Sequence, residues 1–73
     1  MFIEVKVLNQ KTGESEAYSI NTNNISYMRR WVGEKGMLQT VVHFVGSDKR
    51  IIVDMERDSL SKLIMEKQVN LST

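Results

Sequence analysis

The side chains with the most chemical potential fall in one short stretch, Tyr27-Met28-Arg29-Arg30-Trp31. Alternation along an extended strand sends Tyr27, Arg29 and Trp31 to one face and Met28 and Arg30 to the other. The two arginines therefore do not form a single bidentate clamp. A guanidinium between two aromatic rings can hold a phosphate or carboxylate while a ring stacks a base. Arg29, Trp31 and Tyr27 are on that ground a candidate ligand or anion site. Two structural alternatives stay open: a bulge near Tyr27 that shifts the register, or a salt bridge from Arg29 to a helix carboxylate such as Glu56 or Glu66.

His43 is the chain's one histidine. It can be drawn as a triad with Ser26 or Ser47 and Asp48 or Asp54. Its mid-strand position on a solvated face instead suggests a surface residue, with pH sensing or an interface as lesser roles. The chain has no nucleophile elbow, no phosphate-cradling glycine loop and no paired-histidine helix. With no cysteine, it can form neither a disulfide framework nor a thiolate zinc site. The expectation is a protein that is not an enzyme and uses no metal or cofactor. Arg30, Lys35, Lys49 and Arg50 are candidate basic contacts. Lys35 and the Lys49-Arg50 pair lie at opposite ends of one strand, roughly 25 to 30 Å apart at ~3.4 Å per residue. A compact basic patch would then need an oligomer, so a nucleotide or nucleic acid stands as the alternative partner.

The elements that position these residues follow from periodicity. Alternating apolar residues predict strands over 2–8, 15–20, 25–32, 37–45 and 50–54, separated by turns rich in Gly and Asn. Pairing Val7 with Glu16 places Val5 opposite Tyr18 and Ile3 opposite Ile20, which keeps apolar residues together. Short connections suggest that neighbours in sequence are neighbours in the sheet. Leu60, Leu63 and Ile64 then recur at helical spacing, which predicts a helix over 56–68 and a tail over 69–73. Asp54, Asp58 or Ser59 are candidate caps for its start. The expected fold is α+β, mainly β. It is a five-stranded antiparallel meander, curled or a partial barrel, with the helix on one face.

Loop lengths sort the faces. With residues 33–36 as a loop, Val32 opposes Met37, Arg30 opposes Gln39 and Met28 opposes Val41. With residues 46–49 as a turn, Val45 opposes Arg50 and His43 opposes Ile52. Tyr27, Arg29 and Trp31 then share the core face with Val42, Phe44 and Val53, beneath the helix stripe. The outer face aligns Met28, Val41 and Ile52, flanked by Val32, Met37 and Val45. A contiguous apolar stripe on an outer face suggests an oligomer or partner interface.

Size sharpens that suggestion. Seventy-three residues allow one domain, which buries only roughly 60% of the surface its unfolded chain exposes. Small domains commonly compensate by oligomerising, so a homo-oligomer, a dimer by preference, is expected. Ten basic and nine acidic side chains leave a net charge of +1 and no global field. The N-terminal alternation is unlike a signal peptide and no apolar run is long enough to span a membrane, so a cytoplasmic location is expected.

The order of signals resembles the small FlbD-like proteins of bacterial flagellar operons. The matching residues are Leu8-Asn9, Ile20-Asn21, Ile25, Thr40-Val41-Val42-His43-Phe44, Gly46, Ile51-Ile52-Val53 and the helix stripe. Residues 10–15 look like an insertion and the 33–36 loop differs. In outline the chain is also similar to LytTR-type DNA-binding domains and to small phage proteins that sequester nucleotide signals or block host enzymes. The resemblance implies a small bacterial or phage regulator and carries no functional residue across. The expected function is a regulatory interaction module acting on a macromolecular partner. The alternatives are a nucleotide or nucleic-acid binder using Arg29, Tyr27 and Trp31, or a phage-type inhibitor.

Overall fold

The apolar alternation at the N-terminus builds the first hairpin. In the computed structural model, which describes residues 1–72 and side chains through Lys67, β1 (Phe2–Leu8) pairs antiparallel with β2 (Ser15–Asn21). The register places Ile3 opposite Ile20, Val5 opposite Tyr18 and Val7 opposite Glu16, as the sequence predicts. The turn closes with Asn9 N donating to Glu14 O at 2.8 Å, and Gly13 takes φ +75°, a conformation that favours glycine. After a turn of 3₁₀ helix over Thr22–Asn24 come β3 (Ile25–Val32), β4 (Leu38–Phe44), β5 (Arg50–Val53) and α1 (Arg57–Ser72). Of the expected tail over 69–73, residues up to Ser72 continue the helix, and Thr73 lies outside the described residues.

The strand order is β2-β1-β5-β4-β3. Sequence proximity holds for the β1–β2 hairpin and the β3-β4-β5 meander, but β2 and β3 occupy opposite edges. Only residues 22–24 join those edges, so the sheet must curl until its edges approach at one corner. Backbone bonds tie that corner: Thr22 N donates to Met1 O at 2.8 Å and Val45 N to Asn24 O at 2.7 Å. The Ile51-Ile52-Val53 run is apolar on both faces and so suits a central strand. It joins the two hairpins, with Val7 opposite Val53 and Asp54 N donating to Lys6 O at 2.8 Å.

The β3–β4 turn departs from the expected register. Gly33 N donates to Met37 O at 2.8 Å, which leaves the three residues Glu34–Gly36 as the loop, with Lys35 at φ +60° and Gly36 at φ +73°. Val32 accordingly opposes Leu38, Arg30 opposes Thr40 and Met28 opposes Val42. A one-residue shift turns every side chain of the strand to the other face. Met28 and Arg30 therefore stand on the helix side, while Tyr27, Arg29 and Trp31 stand outside. A bulge at Ser26 changes the phase once more and returns Ile25 to the helix side, opposite Phe44. Between β4 and β5, Val41 opposes Ile52 and His43 opposes Arg50. That is a slip of two residues from the expected pairing, which leaves the faces unchanged.

The core is the helix side. Ile3, Val5, Val7, Ile20, Val42, Val53 and Leu60 are buried together, and Met28, Phe44, Ile51, Leu63 and Ile64 pack around them. Leu60 is fully buried, and such burial contributes about 1.5 to 3 kcal/mol. Thr40 is also buried on this side, where its hydroxyl donates to Met55 O at 2.8 Å. None of the expected capping residues starts the helix. Glu56 does so, its carboxylate accepting Asp58 N at 3.0 Å and Ser59 N at 3.2 Å.

Candidate functional site

The register assembles a grid on the outer face. One cross-strand row is Arg50, His43 and Tyr27, from β5, β4 and β3. The next is Ile52, Val41 and Arg29, and Gln39 lies opposite Trp31 beyond it. Arg29, Tyr27 and Trp31 thus sit together as the sequence suggests, but on the open face and not beneath the helix. The physical reason is the shorter loop, which shifts β3 by one residue against β4; the Ser26 bulge then affects only Ile25. The sequence did not group His43 and Arg50 with them. His43 joins them through the β3–β4 register, which sets it opposite Tyr27, and Arg50 through the β4–β5 slip, which sets it opposite His43; hydrophobic alternation alone fixes neither.

Local interactions order this cluster. The Tyr27 and His43 rings stack with centroids 4.2 Å apart and planes 13° from parallel. Arg29 Nε donates to His43 Nε2 at 3.2 Å. That nitrogen must therefore be unprotonated, with the imidazole proton on Nδ1. Partial desolvation, then the Arg29 and Arg50 guanidiniums, hold the His43 pKa below its ordinary value. Tyr27 is 55% exposed, and both arginines are exposed. Among the described residues neither arginine has a carboxylate within ion-pair distance. The salt bridge to Glu56 or Glu66 that would have explained Arg29 structurally is not formed. A surface cleft of about 420 Å³ borders Arg50, with Lys11 on its rim.

The other expected sites fare differently. The Met28, Val41 and Ile52 stripe does not form, because Met28 is on the helix side and packs against the core. Val41 and Ile52 do face outward, yet they are 0% and 5% exposed and belong to the protein's own interior. Val32, Met37 and Val45 are each more than half exposed, as is Leu38. Arg30 lies 3.7 Å from the Asp58 carboxylate, which Arg57 also contacts at 3.3 Å. Lys35 sits in the β3–β4 loop, and Lys49 in the turn before β5, where its backbone N–H donates to Ser47 Oγ. The imagined triad is not assembled: His43 bonds Arg29, and Asp54 accepts from Gln39 Nε2 at 3.2 Å.

Among the described residues no group of three His, Cys, Asp or Glu side chains comes together to hold a metal ion. Among them, too, no helix is long and apolar enough to cross a membrane. No protein-family model, curated protein or solved structure matches the chain.

Proposed function

We propose that this domain binds single-stranded nucleic acid on the outer face of its sheet. The observation that carries this reading is the solvent-facing Tyr27–His43 stack, bordered by Arg29 and Arg50 and followed along β3 by Trp31. Rings on an open sheet face stack bases of any sequence, because every base presents a π-face. Guanidiniums without carboxylate partners supply phosphate contacts in the same area. A net charge of +1 adds little long-range attraction, so binding rests on these few contacts.

Titration of the lone Trp31 with short oligo(dT) tests this. Two or three phosphate contacts give a slope of log affinity against log salt of about −1.4 to −2.1, at roughly −0.7 per phosphate. Quenching with such a slope is the expected result. Absence of quenching and of any size change at low salt excludes this function.

A second reading rests on a different observation. Val32, Met37 and Leu38 expose apolar side chains around the β3–β4 turn, which suits contact with a protein, including another copy of this chain. Light scattering of the wild type and of Leu38→Glu decides it. A dimer that becomes a monomer on substitution supports a homo-oligomeric regulator, and a wild-type monomer removes the homo-oligomer.

A further inference from the structure

The outer-face cluster contains a hydrogen bond that its ligand must break. Arg29 Nε is spent on His43 Nε2, so in the free protein the guanidinium is partly used and the imidazole has no charge to offer. The groups facing His43 are Tyr27 and Arg29 from β3 and Arg50 from β5. His43 shares the outer side of β4 with Val41, which is apolar. No carboxylate lies within ion-pair distance of the imidazole among the described residues. The charged groups that act on His43 are the guanidiniums of Arg29 and Arg50, and both oppose its protonation.

A phosphate reverses that balance. Placed between Arg29 and Arg50, it turns Arg29 Nε away from the imidazole and presents an anionic oxygen in its place. Nε2 can then take a proton and donate to that oxygen. We propose that His43 is a proton-coupled phosphate contact, so that the outer face binds the phosphate of its ligand with uptake of one proton. This rests on the nucleic-acid reading for the source of the phosphate, but the chemistry is that of any phosphate or sulfate oxyanion. The consequence is tighter binding in mild acid. As pH falls, protonation removes the Arg29 bond that competes with the ligand and adds a cation that attracts it.

The coupling is measured with oligo(dT) carrying a pH-insensitive rhodamine, using wild type and His43→Gln at about pH 8 and about pH 5.5. A rise of one pH unit in the imidazole pKa on binding corresponds to about a tenfold change in affinity. Wild type should bind about tenfold more tightly at the lower pH. His43→Gln loses the ring stacked on Tyr27 and cannot take up the proton, so its affinity should be lower than wild type and should change little between the two pH values. Equal pH dependence in the two proteins, or none in wild type, overturns the proposal and leaves nucleic-acid binding standing. If oligo(dT) binds neither protein at either pH, nucleic-acid binding falls instead. The proposal is then decided by NMR titration of the His43 ring with and without sulfate, which does not itself titrate in this range. An upward move of about one pH unit supports it, and an unchanged titration overturns it.

Discussion

Val41 and Val42 are adjacent in β4, point to opposite faces of the sheet, and are both 0% exposed. Their surroundings have little in common. Val42 lies among apolar neighbours that include Leu60 of the helix, in a cluster that runs from Ile3 to Ile64. Val41 is flanked across the strands by Ile52 and the Arg29 side chain. The helix side is a core that a single helix closes. The outer side is a narrow apolar floor edged by exposed guanidiniums, an exposed Tyr27 and the half-buried rings of His43 and Trp31. Burial alone does not separate a core from a site. The difference lies in whether the bordering side chains use up their own bonding capacity.

The largest expected effect lies on the helix side. Leu60→Ala should cost about 2 to 5 kcal/mol of unfolding free energy, because it leaves a cavity where a fully buried side chain packs beneath the helix. A chain this small has little stability to lose, so denaturant titration should show a marked loss of the folded state at ambient temperature. A cost below about 1 kcal/mol would mean that the helix is not the principal lid of the core.

Val41→Ala tests whether the outer floor belongs to the same cooperative unit. Removing two buried carbons should cost about 2 kcal/mol, close to the cost of Val42→Ala. Near-neutrality of Val41→Ala beside a costly Val42→Ala would make the floor a pliable surface. Gly33→Ala probes the rim of that floor. Gly33 has an ordinary negative φ, but an added Cβ would collide with Gln39 Oε1. That oxygen is buried and unpartnered, and the Gln39 amide is tied to Asp54. The substitution should therefore destabilise by about 1 to 3 kcal/mol through crowding.

The smallest effect on stability comes from His43. Its folded pKa lies below the ordinary imidazole value, so the unfolded chain takes up the proton first as the solution is acidified. The contribution of His43 to stability is complete above the unfolded pKa and is lost as pH falls through the folded one. Melting temperatures should decline between about pH 7 and about pH 5, and less steeply in His43→Gln. Parallel curves for the two proteins would mean that the cationic surroundings do not act on His43 in the folded state.

The sequence made much of this organisation legible, and the limits have physical causes. The β1–β2 register was readable because a glycine-containing turn and apolar alternation on both strands agree on one pairing. The helix was readable from Leu60, Leu63 and Ile64. The assignment of faces for Tyr27, Arg29 and Trp31 was not. Gly33-Glu34-Lys35-Gly36 reads equally well as a loop of three or of four residues, and the three-residue form needs Lys35 at positive φ, which lysine does not advertise. Parity then decides everything downstream, because one residue exchanges core and surface. What alternation did establish is that these three side chains share a face. The odd placement of a guanidinium in the expected core was the signal that the face was the open one. The edge positions of β2 and β3 were also beyond reach, since curling is a property of the whole sheet and no local signal encodes it.

The central claim is that the outer face is a binding surface whose charged and aromatic rim contributes little to folding. Arg29→Ala tests it most directly when oligo(dT) affinity and unfolding free energy are measured on the same preparation. The account predicts at least about a tenfold loss of affinity, with stability changed by less than about 1 kcal/mol, because the lost Arg29–His43 bond is solvent-exposed. Unchanged affinity, or a loss of binding that only follows unfolding, would contradict it.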